Sequence, residues 1–203
     1  MMMHMQSETN GLPQPALQTA TNPLKNQLIE AKANLVSAIL TGESCYVQGE
    51  DTPLRYRLLT DTALRLAELN QVAAYFDLSD LAYQYDLTTW VRNSIRLLAI
   101  QLNLPLPTTE WWDRHSKEEP IVIFAQFLGD YTLPQISKPV LLSFDEADQL
   151  RRAPLAADFW RLLDRIQQPE FQGLTVVLWG KASWEKLVGN GRFPGKPFKQ
   201  VIL

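Results

Sequence analysis

Two adjacent carboxylates, Asp145 and Glu146, follow the apolar run Val140-Leu141-Leu142-Ser143-Phe144, and a third, Asp148, comes just after them. Opened by Pro139 and closed by charge, the run reads as a strand buried on both faces. Carboxylates at the C-terminal end of such a strand lie where open α/β sheets bind their ligands. Hard oxygen donors there suit Mg²⁺. Asp145 would hold the ion, directly or through water, and Glu146 would polarise a water attacking a phosphoryl group. The same residues could instead open a helix, where the macrodipole favours acidic side chains by about 0.3–1 kcal/mol each. The choice rests on whether the chain also supplies a place for phosphate.

Phosphate chemistry of this kind calls for a loop after an earlier strand, reading Gly, four residues, then Gly-Lys-Ser/Thr, with backbone N–H groups cradling the anion. The stretch in the corresponding place is Gly49-Glu50-Asp51-Thr52-Pro53-Leu54-Arg55-Tyr56. Its position, length and flanking elements match that pattern, and its chemistry departs from it. Leu54 stands where the second glycine lets the backbone approach phosphate, and a Cβ in a left-handed conformation costs about 1–2 kcal/mol. Arg55 keeps the lysine's charge, but as a planar fork rather than a compact ammonium. Tyr56 replaces the small hydroxyl that coordinates Mg²⁺, and Glu50 and Asp51 put negative charge where phosphates would lie. The candidate residues are therefore Gly49 and Arg55 for nucleotide, Asp145 for metal and Glu146 for catalysis.

Positioning these groups requires a sheet. Pro23 opens a helix after the cap residue Asn22, with Leu24, Leu28, Ala31, Leu35, Ala38 and Ile39 at helical spacing up to Gly42. A strand over 44–48 leads through the loop into a helix carrying Leu58, Leu59, Thr62, Leu66 and Leu69. A strand over 71–76, ending in Asp77, completes a βαβ unit and implies parallel pairing. Asp86 begins a long helix with Leu87, Trp90, Val91, Ile95, Leu98 and Leu102 on its stripe. Trp111-Trp112-Asp113 reads as a loop that packs as lid or core, and Pro120 precedes a further helical stripe. Another helix follows Ala153-Pro154, then a strand over 174–179 ending at Gly180, a Gly- and Pro-broken loop, and the start of a fifth strand at Gln200-Val201-Ile202-Leu203.

With those residues in view, the chain from about Leu35 to Leu203 resembles the AAA-like P-loop domain common in cyanobacterial regulatory proteins, a relative of the STAND signalling NTPases. The resemblance is carried by Tyr75-Phe76-Asp77-Leu78, Trp111-Trp112-Asp113, Ile123-Phe124-Ala125-Gln126-Phe127-Leu128, Lys138-Pro139-Val140-Leu141-Leu142-Ser143-Phe144-Asp145-Glu146-Ala147-Asp148 and Leu174-Thr175-Val176-Val177-Leu178-Trp179. It implies an α/β fold: a parallel five-stranded P-loop NTPase-type sheet with helices on both faces, and ATP with Mg²⁺ over the first strand. By position it makes Asp145 the Mg²⁺ residue and Glu146 the catalytic carboxylate. The sensor position near Gly180 has no Asn, Ser or Thr until Ser183. The helical lid usual in that family is missing here, so an apolar strand end would be bare; a longer chain or a covering partner is expected.

The bulk composition narrows the partners. The chain has 203 residues, of which 46% are hydrophobic and 20% charged, and a formal net charge of −3. That argues against holding nucleic acid by bulk electrostatics. Near the C-terminus Lys181, Lys186, Arg192, Lys196 and Lys199 stand against Glu185 alone, most simply a solvated face. The single cysteine, Cys45, excludes an intramolecular disulfide and reads as an inert core thiol. His4 and His115 have no second ligand at metal spacing. No apolar run is long enough to span a bilayer and no signal-peptide pattern is present, so a cytoplasmic protein without membrane insertion is expected. Residues 1–21 read as a tail and 22–203 as one domain.

Three functions compete at this level. One is a pseudo-NTPase, the fold kept as a regulatory or protein-interaction module. Another is a weak ATP–Mg²⁺ signalling switch with slow hydrolysis. The last is nucleic-acid work, prompted by Asp145-Glu146-Ala147-Asp148, the letters of the DEAD-box helicases. Those enzymes also need a standard phosphate loop and a Ser-Ala-Thr motif, and the sequence has neither. Whether the chain is an enzyme stays open; a protein partner is expected.

Overall fold

The computed structural model describes residues 23–189 and 196–203. The expected tail over 1–21, the Asn22 cap and Arg192 lie outside the described residues. Helix α1 (Pro23–Leu40) ends as its stripe predicts. Gly42, at φ +75°, turns the chain, and the N–H of Glu43 donates back to the carbonyl of Ala38 at 2.9 Å. That is the left-handed stop for which glycine is suited. Strand β1 (Cys45–Gln48) follows, then α2 (Thr52–Glu68) and β2 (Val72–Asp77).

Strands β3 (Val140–Asp145), β4 (Leu174–Gly180) and β5 (Lys199–Ile202) complete a five-stranded sheet of order β2-β3-β4-β1-β5. Every pairing is parallel. The expected α/β sheet is thus present, with β4 and β3 standing between β1 and β2. The chain leaves β1 for the far edge, returns through β3 and β4, then passes β1 to form β5. The crevice where strand order reverses lies at the C-terminal ends of β1, β4 and β3, the usual ligand site of such sheets.

Alternation along the strands assigns the two faces. Cys45, Val47, Leu141, Val177 and Trp179 meet Leu28, Leu35, Leu58 and Leu66 of α1 and α2. Tyr46, Phe76, Leu142, Phe144 and Leu178 meet residues of α3 (Leu87–Gln101), α5 (Pro120–Gln126) and α6 (Ala156–Ile166) on the other face. Phe144 stacks on Phe76 at 4.9 Å and meets the edge of Phe159 at 5.2 Å. Full burial of each such side chain contributes about 1.5–3 kcal/mol. The open edge of β2 is closed by Gln101, whose side-chain amide exchanges two 2.7 Å hydrogen bonds with the backbone of Tyr75. This pairs the edge as a further strand would.

Two local expectations change. Trp111-Trp112-Asp113 is helical, in α4 (Thr109–His115), because the Thr108 hydroxyl accepts the N–H of Trp111 at 3.2 Å and caps the helix. Trp111 is core, stacked on His115 at 4.2 Å, and the His115 Nδ1 lies 2.6 Å from the Trp111 carbonyl. His115 therefore has a packing role. The stretch after β4, expected as a loop, contains a short helix, α7 (Trp184–Val188), with Ser183 at its N-cap position. Among the described residues no helix is long and apolar enough to cross a membrane.

Candidate functional site

Asp145 closes β3 on the same face as Leu141 and Ser143, the face covered by α2. On α2 the buried positions are Arg55, Leu58, Thr62 and Leu66, one stripe at helical spacing. Arg55 therefore points inward, toward the end of β3, and is only 1% exposed. Its Nη2 lies 2.6 Å from Glu146 Oε1, its Nε lies 3.4 Å from Asp145 Oδ1, and its Nη1 donates to the Gly49 carbonyl at 3.2 Å. Tyr56, the next residue, is 67% exposed and plays no part.

The structure thus brings all four sequence candidates together: Gly49, Arg55, Asp145 and Glu146 form one network. A buried guanidinium loses several kcal/mol of hydration and needs carboxylate and carbonyl partners to persist. Here it has them. Glu146 is held in the left-handed region, at φ 54° and ψ 39°, and its N–H donates to Asp145 Oδ1 at 2.8 Å. A non-glycine residue there carries about 1–2 kcal/mol of backbone strain, sustained by its surroundings. The ion pair with Arg55 is the contact that the strained backbone makes possible.

The phosphate end is closed by different means. In the strand–GxxxxGK[ST]–helix arrangement the span between the glycines is loop. Here α2 already begins at Thr52, leaving Gly49, Glu50 and Asp51 as the connection. The length of the expected phosphate loop is therefore not realised, since half of it is helix. A helix N-terminus offers free N–H groups to an anion. Pro53 has none, and the Leu54 N–H is taken by the Asp51 carboxylate at 2.9 Å. Gly49 is also covered. Its N–H donates to the Gly180 carbonyl at 3.0 Å, and a Cβ on it would lie 3.0 Å from Leu203 Cδ1.

A second cluster, missed by sequence reasoning, joins β3 to β4. Asp148 accepts the N–H groups of Lys181 at 2.5 Å and Ala182 at 2.8 Å. Tyr46 donates to the Ala182 carbonyl at 2.6 Å. Burial pushes the Tyr46 phenol well above its ordinary range, and the Asp148 charge adds to that effect. Gly180 makes the cluster possible, because a Cβ there would meet Tyr46 Oη at 2.6 Å and Asp148 Oδ2 at 3.0 Å. The inward turn of Arg55 was readable from the stripe at 55, 58, 62 and 66. Asp51 was readable from Asp-Thr-Pro, a cap followed by proline in the first turn. Asp148 and Gly180 stand out in the sequence as a third carboxylate and a strand end, but nothing there signals that they meet.

The geometry sets the terms on which a Mg²⁺–nucleoside triphosphate would meet these residues. The cation of Arg55 stands against both carboxylates that would approach the metal, and Asp51 supplies the anion at the helix start. Among the described residues no group of three or more His, Cys, Asp or Glu converges on a metal position.

No family model and no curated protein matches the sequence. Solved structures do. The Walker-type ATPase paby2304 of Pyrococcus abyssi matches with a TM-score of 0.56 at 15% identity, over 85% of this chain and 52% of that one. The Aeropyrum pernix Orc1 protein, in complex with DNA, matches at 0.51 and 14% identity, over 87% of this chain and 44% of that one. Cdc6p from Pyrobaculum aerophilum matches at 0.55 and 13%, over 93% of this chain and 48% of that one. These likenesses are of fold: the five-stranded parallel sheet with its helices is similar to the P-loop NTPase-type sheets of these structures. The chain spans about half the length of each.

Proposed function

We propose that this chain is a pseudo-NTPase, an AAA-like P-loop domain retained as a regulatory or protein-interaction module, of the cyanobacterial regulatory type related to the STAND proteins and working in the cytoplasm. One observation carries the reading. Arg55, the residue standing in for the phosphate-binding lysine, is buried and bonded to Asp145, Glu146 and Gly49 rather than presented to a ligand. The Asp51 cap and Pro53 support it, since they remove donors that a phosphate would need.

The competing switch reading assigns Asp145 to Mg²⁺, Glu146 to the attacking water and Gly49 with Arg55 to the nucleotide. It requires Arg55, which holds one oxygen of each carboxylate, to turn from them toward the phosphates. A thermal-shift titration separates the two readings. A nucleotide at 100 times its Kd adds about 2.7 kcal/mol, about 5–10 °C for a domain of this size. The pseudo-NTPase shows no shift at millimolar ATP with Mg²⁺. A shift in the wild type that Asp145→Asn abolishes would overturn the proposal.

The expected partner is a protein. The Aeropyrum pernix Orc1 protein, in complex with DNA, is about twice as long, and this chain has a net charge of −3. Absence of retardation in a low-salt mobility-shift assay is the expected result, and retardation would add nucleic acid to its partners.

A further inference from the structure

A cavity of about 430 Å³ opens beyond the end of β2, one strand over from Asp145, lined by Phe76, Asp77, Asp80, Tyr83, Trp90 and Ser94 among others. Its floor is apolar: Phe76 and Trp90 are 6% and 9% exposed. Its rim is not. Tyr83 is 83% exposed, and Tyr85, two residues on, is 79% exposed. The stretch Asp77-Leu78-Ser79-Asp80-Leu81-Ala82-Tyr83-Gln84-Tyr85-Asp86 holds three aspartates and no lysine or arginine. Arg92, on the helix behind the cavity, is turned over the Trp112 ring at 5.2 Å from its centroid.

The polar groups of this cavity divide into spent and unspent. Asp77 Oδ1 accepts the N–H of Ser79 at 2.8 Å, and Asp86 is spent on the start of α3, accepting from Thr88 and Thr89. Ser94 lines the cavity, is 6% exposed, and its hydroxyl makes no hydrogen bond among the described residues. The oxygen is not sealed from water, so an occupant of the cavity can pair with it in water's place. An apolar floor, an unpaired hydroxyl, anionic walls and an exposed tyrosine ring together define an occupant. It has a long apolar stem, several donors and a positive charge. Arginine has all three, and its planar guanidinium stacks on aromatic rings while pairing with carboxylates. The volume is at the small end of the roughly 300–1,000 Å³ of ligand pockets, and suits one long side chain with its neighbour.

We propose that this cavity is the docking site for an arginine-bearing segment of a partner protein, the guanidinium set against Asp77, Asp80 and the Tyr83 ring, with Ser94 accepting from it or from the stem's backbone. The proposal names the partner class for the interaction module proposed above. It does not depend on the nucleotide question, because the cavity shares no side chain with the Arg55 network.

The test uses the full chain without nucleotide and two fluorescein-labelled probes, Gly-Leu-Arg-Leu-Gly and the same peptide with citrulline, arginine's neutral isostere. Saturable binding of the arginine peptide is expected, at least tenfold tighter than the citrulline peptide. It should weaken at least tenfold in Asp77→Asn/Asp80→Asn, which keeps the oxygen that accepts from Ser79. Amide shifts in a ¹⁵N spectrum should centre on residues 77–85 and 94. The melting temperature of the double variant reports that it is folded; if it is not, Tyr83→Ala, at an exposed position, should weaken binding instead. Equal binding of the two peptides, no saturation by 2 mM, or shifts confined to other residues would overturn the docking proposal while leaving the ATP titration to decide the pseudo-NTPase reading separately.

Discussion

Replacing Arg55 by methionine removes the charge from the network while keeping an unbranched stem in the core. Glu146 and Asp145 then lose a partner at 2.6 Å and 3.4 Å, and the left-handed backbone at Glu146 loses the contact that sustains it. Breaking a buried ion pair by removing one member costs about 3–5 kcal/mol. The two carboxylate side chains keep 32% and 24% of their exposure, so water screens part of the loss. A cost of about 2–3 kcal/mol remains. At about 2–4 °C per kcal/mol for a chain of this length, the melting temperature of Arg55→Met falls by about 5–10 °C. Adding Asp145→Asn and Glu146→Gln to Arg55→Met should recover at least half of that fall, because replacing all charged partners is far less harmful than orphaning some. Calorimetric melts of the three proteins at pH 7 check this. A fall of under about 1 °C in Arg55→Met, or no recovery in the triple variant, would refute the view that Arg55 is spent on the two carboxylates.

Other changes test the remaining contacts. Asp51→Ala removes the cap of α2 and should cost about 1 kcal/mol in chemical denaturation. Gly180→Ala drives a Cβ into Tyr46 and Asp148 and should cost about 1–3 kcal/mol; combined with Tyr46→Phe the two losses should fall short of additive. The Thr89 hydroxyl, then backbone N–H groups, hold the Asp86 carboxyl below its ordinary range. A depressed carboxylate contributes stability above its unfolded pKa, near 4, and loses it as pH falls through the folded value. Thr89→Val should therefore move the Asp86 titration upward by NMR and begin the acid loss at higher pH. Burial pushes the Cys45 thiol up to about 12. Alkylation at pH 8 should consequently be slow in the folded chain and accelerate with denaturant in step with unfolding.

Much of the architecture was legible because it rests on local rules. Apolar runs bounded by turn residues located the strands, and the stripe of Leu58, Thr62 and Leu66 located α2. The α4 helix departs from the loop expected at Trp111-Trp112-Asp113 because Thr108 caps it. The phosphate loop is shorter than the spacing from Gly49 implies because Asp51 and Pro53 start α2 at Thr52.

By itself, the sequence determined the α/β class, a parallel sheet, the carboxylates at the end of the buried strand and the four residues that meet around them. Those follow from periodicity and spacing, which act over a few residues at a time. Only the tertiary structure decided what the four do to one another. The direction of a guanidinium, the left-handed backbone of Glu146, and the approach of Asp148 to the N–H groups beyond Gly180 depend on elements far apart in the chain. Asp145 and Glu146 read as groups waiting for a metal until the fold placed Arg55 against them. Burial of that cation made pairing obligatory, and no local rule of sequence shows that burial.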